Sequence, residues 1–134
     1  MLSELSNLIL YFDFVSGISK YCAGKVFPEN AEDFVIDNSA NLFIDKAQAI
    51  SFNLNGDNRC SILTGANSGG KTTLLEHVIQ LISLYNLGLP VSGNVKLPMF
   101  TEVYYFAKNK GSANKGAFET LLTQMSKIKP GKQT

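Results

Sequence analysis

The sequence predicts an α/β fold organised around a glycine-rich turn between a strand and a helix, and three observations predict it. The octamer Gly65, Ala66, Asn67, Ser68, Gly69, Gly70, Lys71 and Thr72 fits the phosphate-binding pattern G-x-x-x-x-G-K-[ST]. Residues 59–64 read as a short strand, with turn residues at 55–58 before them and Gly65 after. From Lys71 the period changes. Leu74, Leu75, Val78, Ile79, Ile82 and Tyr85 recur at helical spacing, and Gly88 with Pro90 is a stop signal.

The remaining elements follow in chain order. Residues 2 to about 23 read as a helix, because Leu2, Leu5, Leu8, Ile9, Phe12, Val15, Ile18 and Cys22 make a stripe apolar enough to need a partner. Ser3 is its candidate cap, and Gly24 and Pro28 end it. Residues 34–36 and 42–44 are short strand-like runs separated by Asp37, Asn38 and Ser39, and residues 49–54 are a further strand candidate. Together they suggest a small antiparallel sheet edge leading into the strand before the octamer. Gly93 and Pro98 bracket a turn-rich connection; residues 102–107, aromatic and β-branched, read as a strand. A polar loop over 108–116 precedes a last helix over 117–128, with Phe118, Leu121, Leu122 and Met125 at helical spacing. Residues 129–134 read as a disordered tail.

The octamer's chemistry follows from its geometry. Glycines let successive backbone N–H groups turn toward one point, and the helix start adds its positive dipole end, so an anion belongs there. Lys71 is placed to reach β- and γ-phosphate oxygens, and the Thr72 hydroxyl to take a position on Mg²⁺. The cradle spans Gly65, Ala66, Asn67, Ser68, Gly69, Gly70, Lys71, Thr72 and Thr73. A ligand-free glycine turn would require neither the lysine nor the hydroxyl.

Composition sets the bounds. At 134 residues the chain is at most one domain, long enough for a core but short for a complete nucleotide-hydrolysing domain of this type. A net charge of +1 gives no electrostatic case for nucleic-acid binding by the chain as a whole. Cys22 and Cys60 are too few for a disulfide framework or metal site; sitting among apolar neighbours, they read as buried free thiols in a reducing compartment. The apolar stretch over 8–15 is broken by Asp13 and lacks a basic leader, so neither a signal peptide nor a membrane span is expected. His77, beside Glu76 and off the apolar stripe, reads as a solvated helix residue. The lysines at 108, 110 and 115 read as a solvated loop, with a small nucleic-acid patch as the alternative.

From about Asn41 to Ile128 the order of features resembles the C-terminal ATPase domain of the MutS family of DNA mismatch-repair and recombination proteins, an ABC-ATPase-like branch of the P-loop NTPases. Family members carry a loop close to T-G-x-N-x-G-G-K-[ST], and Thr64, Gly65, Asn67, Gly69, Gly70, Lys71 and Thr72 stand at those positions. The Asn and the doubled Gly discriminate. A long apolar helix ending at Gly88 and Pro90 comes next. Tyr104, Tyr105 and Phe106, the loop from Lys108, and a helix headed by Phe118 then match the family's order. The resemblance implies an incomplete ATPase domain, its first half, over residues 26–128. It implies that residues 1–25 are the end of a lever-like helix. It also implies ATP or ADP with Mg²⁺ as cofactors, a cytoplasmic location, a homodimer through the ATPase domain of the parent, and DNA contact through domains outside this sequence, with no membrane association. Phe43 is the nearest candidate for the aromatic residue that stacks on adenine in the family; a core Phe is the alternative.

Two departures bear on turnover. The family places a serine two residues before the phenylalanine, reaching the γ-phosphate of the partner subunit; that position is Gly116 here, with Ser112 nearby. Phosphoryl transfer in this branch also requires a strand ending in Asp-Glu, and no Asp-Glu pair occurs in the sequence. The apolar runs before Asp13 and Asp45 both precede the octamer and do not supply it. The expectation is therefore ATP and Mg²⁺ binding by this chain, no catalytic residue within it, and hydrolysis only in the intact parent. The alternatives are a non-catalytic nucleotide-binding or dimerisation module, and another ABC-type ATPase, although no L-S-G-G-Q-like signature is present.

Overall fold

The computed structural model describes residues 1–66, 69–106 and 116–129. Two compact units emerge, residues Met1–Pro98 and Met99–Thr134.

The first unit begins with helix α1, Leu2–Cys22, and carries strands β1 (Glu29–Asn30), β2 (Phe34–Ser39) and β3 (Ile50–Leu54), helix α2 (Lys71–Asn86) and strand β4 (Asn94–Leu97). The strands form one mixed sheet in the order β1-β4-β2-β3. β4 runs parallel to β1 and antiparallel to β2, while β2 and β3 are antiparallel. Alternation decides which side chains enter the core. Phe34 and Ile36 of β2 point inward with Val95 and Leu97 of β4, and Leu81 and Ile82 of α2 join them. The Phe34 and Phe52 rings tilt against each other at 5.7 Å across the β2–β3 pair.

A bulge then shifts the alternation. Register slips between Ile36 and Ser39, and Asn38 takes a positive φ of 52°, so Asp37 and Asn38 are both exposed and Ser39 returns to the interior. The chain opposite the bulge must be glycine. Gly93 sits at φ 82°, and a Cβ there would lie 2.4 Å from the Asn38 carbonyl oxygen.

The second unit contains α3, Ala117–Ser126, which begins at Gly116. Within it Thr123 donates its hydroxyl to the Glu119 carbonyl at 2.9 Å.

The α/β arrangement and the three helices agree with the sequence; several finer expectations do not. Residues 59–64 are irregular, with Ile62 87% exposed, so the strand into the glycine-rich loop does not form. A strand requires a neighbour to satisfy its N–H and C=O groups, and among the described residues this run pairs with none, the sheet ending at β3. Residues 42–44 form a turn and a bend, and residues 102–106 are irregular, neither run pairing with a strand among the described residues. Residue 107 and the lysine-bearing loop over 108–115 lie outside the described residues, as do 130–134. Conversely, the connection from Gly93 to Pro98 contains β4, the strand between β1 and β2. Ser3 makes no cap, the helix starting from Met1 instead. Cys60 is exposed rather than buried, and Cys22 is half-buried. Among the described residues no helix is long and apolar enough to cross a membrane.

Candidate phosphate-binding site

The chain turns into α2 through two glycines with separate constraints. The Gly69 N–H donates to the Ala66 carbonyl at 2.9 Å, and a Cβ on Gly69 would press to 3.0 Å on that oxygen. Gly70 is the helix N-cap at φ 77°, ψ 15°, left-handed backbone that favours glycine. Its carbonyl receives the Leu74 N–H at 2.9 Å and opens the helical ladder. No side chain caps α2, and the first turn carries no acidic residue. The positive end of a 16-residue helix is therefore left without a carboxylate of its own.

Lys71 folds back over the loop. Its Nζ donates to the Gly65 carbonyl and, at 2.7 Å, to the Ala66 carbonyl. Both acceptors are neutral, and among the described residues Lys71 has no carboxylate partner. An ammonium held by carbonyl dipoles keeps most of its attraction for an anion, and its three donors let it exchange one acceptor for another. Thr72 is exposed at the first turn, and Thr73 is half-buried beside it. Asn67 and Ser68, at the tip of the predicted cradle, lie outside the described residues.

Beside the loop is a cavity of about 210 Å³. Gly70, Thr73, Leu74 and His77 line it from the α2 side; Ser39 at the end of β2, Ile50 at the start of β3, and Asn41, Ile44, Ala47 and Gln48 between them line the other side. Phe43 lies within that segment, between two of the lining residues. Phe43 is 89% exposed, so among the described residues it is no core side chain.

The structure also assembles a group that the sequence pattern did not single out. His77 is 2% exposed, not solvated, and its Nε2 lies 3.0 Å from the Oγ of the fully buried Ser39. The helix packs with Leu74, His77, Leu81 and Ile82 toward the sheet, a face rotated by about one position from the stripe that the apolar spacing suggested, leaving Leu75 half exposed. The i, i+4, i+7 relation of His77 to Leu81 and Leu84 was the available signal. Burial pushes the His77 pKa below its ordinary value, so the ring is neutral at physiological pH. One turn on, Gln80 Oε1 accepts the Leu42 N–H at 3.1 Å. Among the described residues His77 Nδ1 and Gln80 Nε2 are buried with no partner. No cluster of three or more His, Cys, Asp or Glu fit to hold a metal ion occurs among those residues. In the second unit Gly116 is the N-cap of α3, with φ −50°, and Ser112 lies outside the described residues.

Comparison with known proteins bears on this loop, because one alignment covers 92% of the chain and so runs through it. The chain is 37% identical over 136 residues to the DNA-binding protein MutS2 of Pyrococcus furiosus, an alignment that takes in 92% of the chain. The chain belongs to the MutS family. It is also 31% identical over 93 residues to the endonuclease MutS2 of Borreliella burgdorferi, across 68% of its length. A third alignment, to the endonuclease MutS2 of Solidesulfovibrio magneticus, has 32% identity over 90 residues. This MutS-family chain spans 24% of the length of the Pyrococcus protein and 12% of each of the other two. No family model matches it.

Proposed function

We propose that residues 65–73 cradle the phosphates of ATP or ADP with Mg²⁺, as the nucleotide-binding part of a MutS-family DNA repair or recombination protein. The observation that carries this reading is the Lys71 ammonium, folded over the loop carbonyls with no carboxylate partner among the described residues, at the uncapped start of α2. Phosphate oxygens would replace the Gly65 and Ala66 carbonyls on Nζ, exchanging dipoles for full charges. The backbone N–H groups at the start of α2 would hold the remaining oxygens. Thr72, exposed beside them, would offer its hydroxyl to Mg²⁺, which neutralises phosphate charge when bound. Phe43, exposed next to the cavity, is free to lie against the nucleobase.

This chain binds rather than hydrolyses, because it carries no Asp-Glu pair to hold Mg²⁺ through water and orient an attacking water. Its residues correspond to the first half of the ATPase domain; the acidic strand, the homodimer contact and the DNA contact belong to the parent protein. The irregular run 59–64, with Ile62 exposed, fits a strand whose sheet neighbour another segment supplies. Such a strand would leave the cytoplasmic parent, not this chain, as the ATPase.

Equilibrium binding of Mg²⁺-ATP by the chain and by Lys71→Ala tests this. Loss of about tenfold or more in affinity on substitution is expected, the worth of one charge-assisted contact to phosphate. Equal or absent binding by both proteins would sink the proposal.

A further inference from the structure

We propose that Ser39, His77 and Gln80 form a latch that positions Phe43 against the nucleobase, so that His77 and Ser39 are positioning residues for the base half of the nucleotide and not for its phosphates. The inference rests on the nucleotide-binding reading given above and deepens it.

Two hydrogen bonds make the latch. The β2 bulge turns Ser39 inward to meet His77 at 3.0 Å, and Gln80, three residues further along α2, receives the Leu42 N–H at 3.1 Å. Both ends of the span 39–42 are thereby fixed to the helix that begins at the phosphate loop. Phe43 follows immediately, and its own N–H donates to Asn41 Oδ1 at 2.9 Å, closing a local turn that presents the ring outward. Asn41 and Ile44, on either side, share the cavity with Gly70 and Thr73. The ring's location is thus set by polar bonds to α2 and not by packing, since it is 89% exposed.

Burial makes the latch strong and specific. Ser39 and His77 are 0% and 2% exposed, so neither can exchange its partner for water, and breaking the pair leaves a buried polar group unsatisfied. A core histidine serving stability alone would require no second bond into the same four-residue span. The Gln80 bond to Leu42 ties the backbone itself.

The test measures Mg²⁺-ATP and Mg²⁺-tripolyphosphate binding to the same proteins, because tripolyphosphate has no base. His77→Leu and Ser39→Ala are each expected to weaken ATP by about tenfold, the magnitude of one aromatic contact, while tripolyphosphate changes less than about twofold. His77→Gln, whose amide can still reach Ser39, is expected to restore ATP affinity to within about threefold. Far-UV circular dichroism identifies any variant that has unfolded, and His77→Gln keeps the comparison if His77→Leu does so. Parallel losses for ATP and tripolyphosphate, or no loss for either, overturn the latch. Absence of both ligands from the unsubstituted chain instead overturns the nucleotide reading, and the latch's assignment to the base falls with it.

Discussion

Helices α1 and α2 are similar in apolar content and opposite in fate. α1 has 21 residues and none of them is buried; Leu8, Ile9, Tyr11 and Phe12 are all more than half exposed. α2 has 16 and places His77, Leu81 and Ile82 in the core. What separates them is the surface each meets. α2 lies on the sheet and trades water for Phe34, Ile36, Val95 and Leu97, whereas α1, among the described residues, is tied near its end, where the Tyr21 hydroxyl donates to the Pro90 carbonyl at 2.9 Å. The Lys25 ammonium, 4.3 Å from the Tyr21 ring centroid, closes over that junction, and an isolated bridge pairs Val26 with Val91 just beyond it. An apolar stripe creates a demand for burial; a facing surface alone converts it into stability.

The contrast can be broken most forcefully in the core. Leu81→Ala removes a side chain 1% exposed and is expected to destabilise the chain by about 2–5 kcal/mol in urea unfolding. A loss below about 1 kcal/mol would mean that the α2–sheet interface is looser than its burial implies.

A smaller effect should come from pH. His77 has a folded pKa below the ordinary 6.5, so below that pH the unfolded chain binds the proton that the folded chain resists. The stability due to its neutral burial is full above pH 6.5 and declines as pH falls through 6.5 toward the lower folded value. Thermal melts from pH 8 to 5 should show the decline, and His77→Gln, which has no such proton to gain, should flatten it. Identical profiles for the two proteins would remove His77 from the pH response. The smallest effect belongs to α1: Leu8→Ser, at a side chain 64% exposed, is expected to change stability by less than about 0.5 kcal/mol. A larger loss would reveal a partner surface on that helix.

Much of the architecture was legible because helices advertise themselves locally. The periods that predicted α1, α2 and α3 arise from residues three and four apart, and each helix satisfies its own backbone. β3 and the first half of β2 were legible too, as β-branched and aromatic runs, but Asp37, Asn38 and Ser39, read as a separator, belong to β2 around its bulge. β4 was not, since its four residues lie between Gly93 and Pro98 and look like a turn until β2 and β1 are placed on either side. The opposite failure came at residues 59–64, which have a strand's composition and pair with no strand among the described residues. His77 shows the same limit on a helix, because its neighbours in sequence, Glu76 and Gln80, are polar, and only the bulge that turns Ser39 inward gives its ring a place.

By itself the sequence determined the α/β class, the helices, the glycine-rich loop and the membership of the MutS family, all of which rest on local period or on residue identity in order. The tertiary structure decided which strands exist, which face of α2 is buried, that Lys71 folds over the loop carbonyls, and that Ser39 and His77 meet in the interior. Those outcomes depend on residues tens of positions apart, 38 in the case of Ser39 and His77, and a strand or a buried polar group has no stable form until its distant partner arrives.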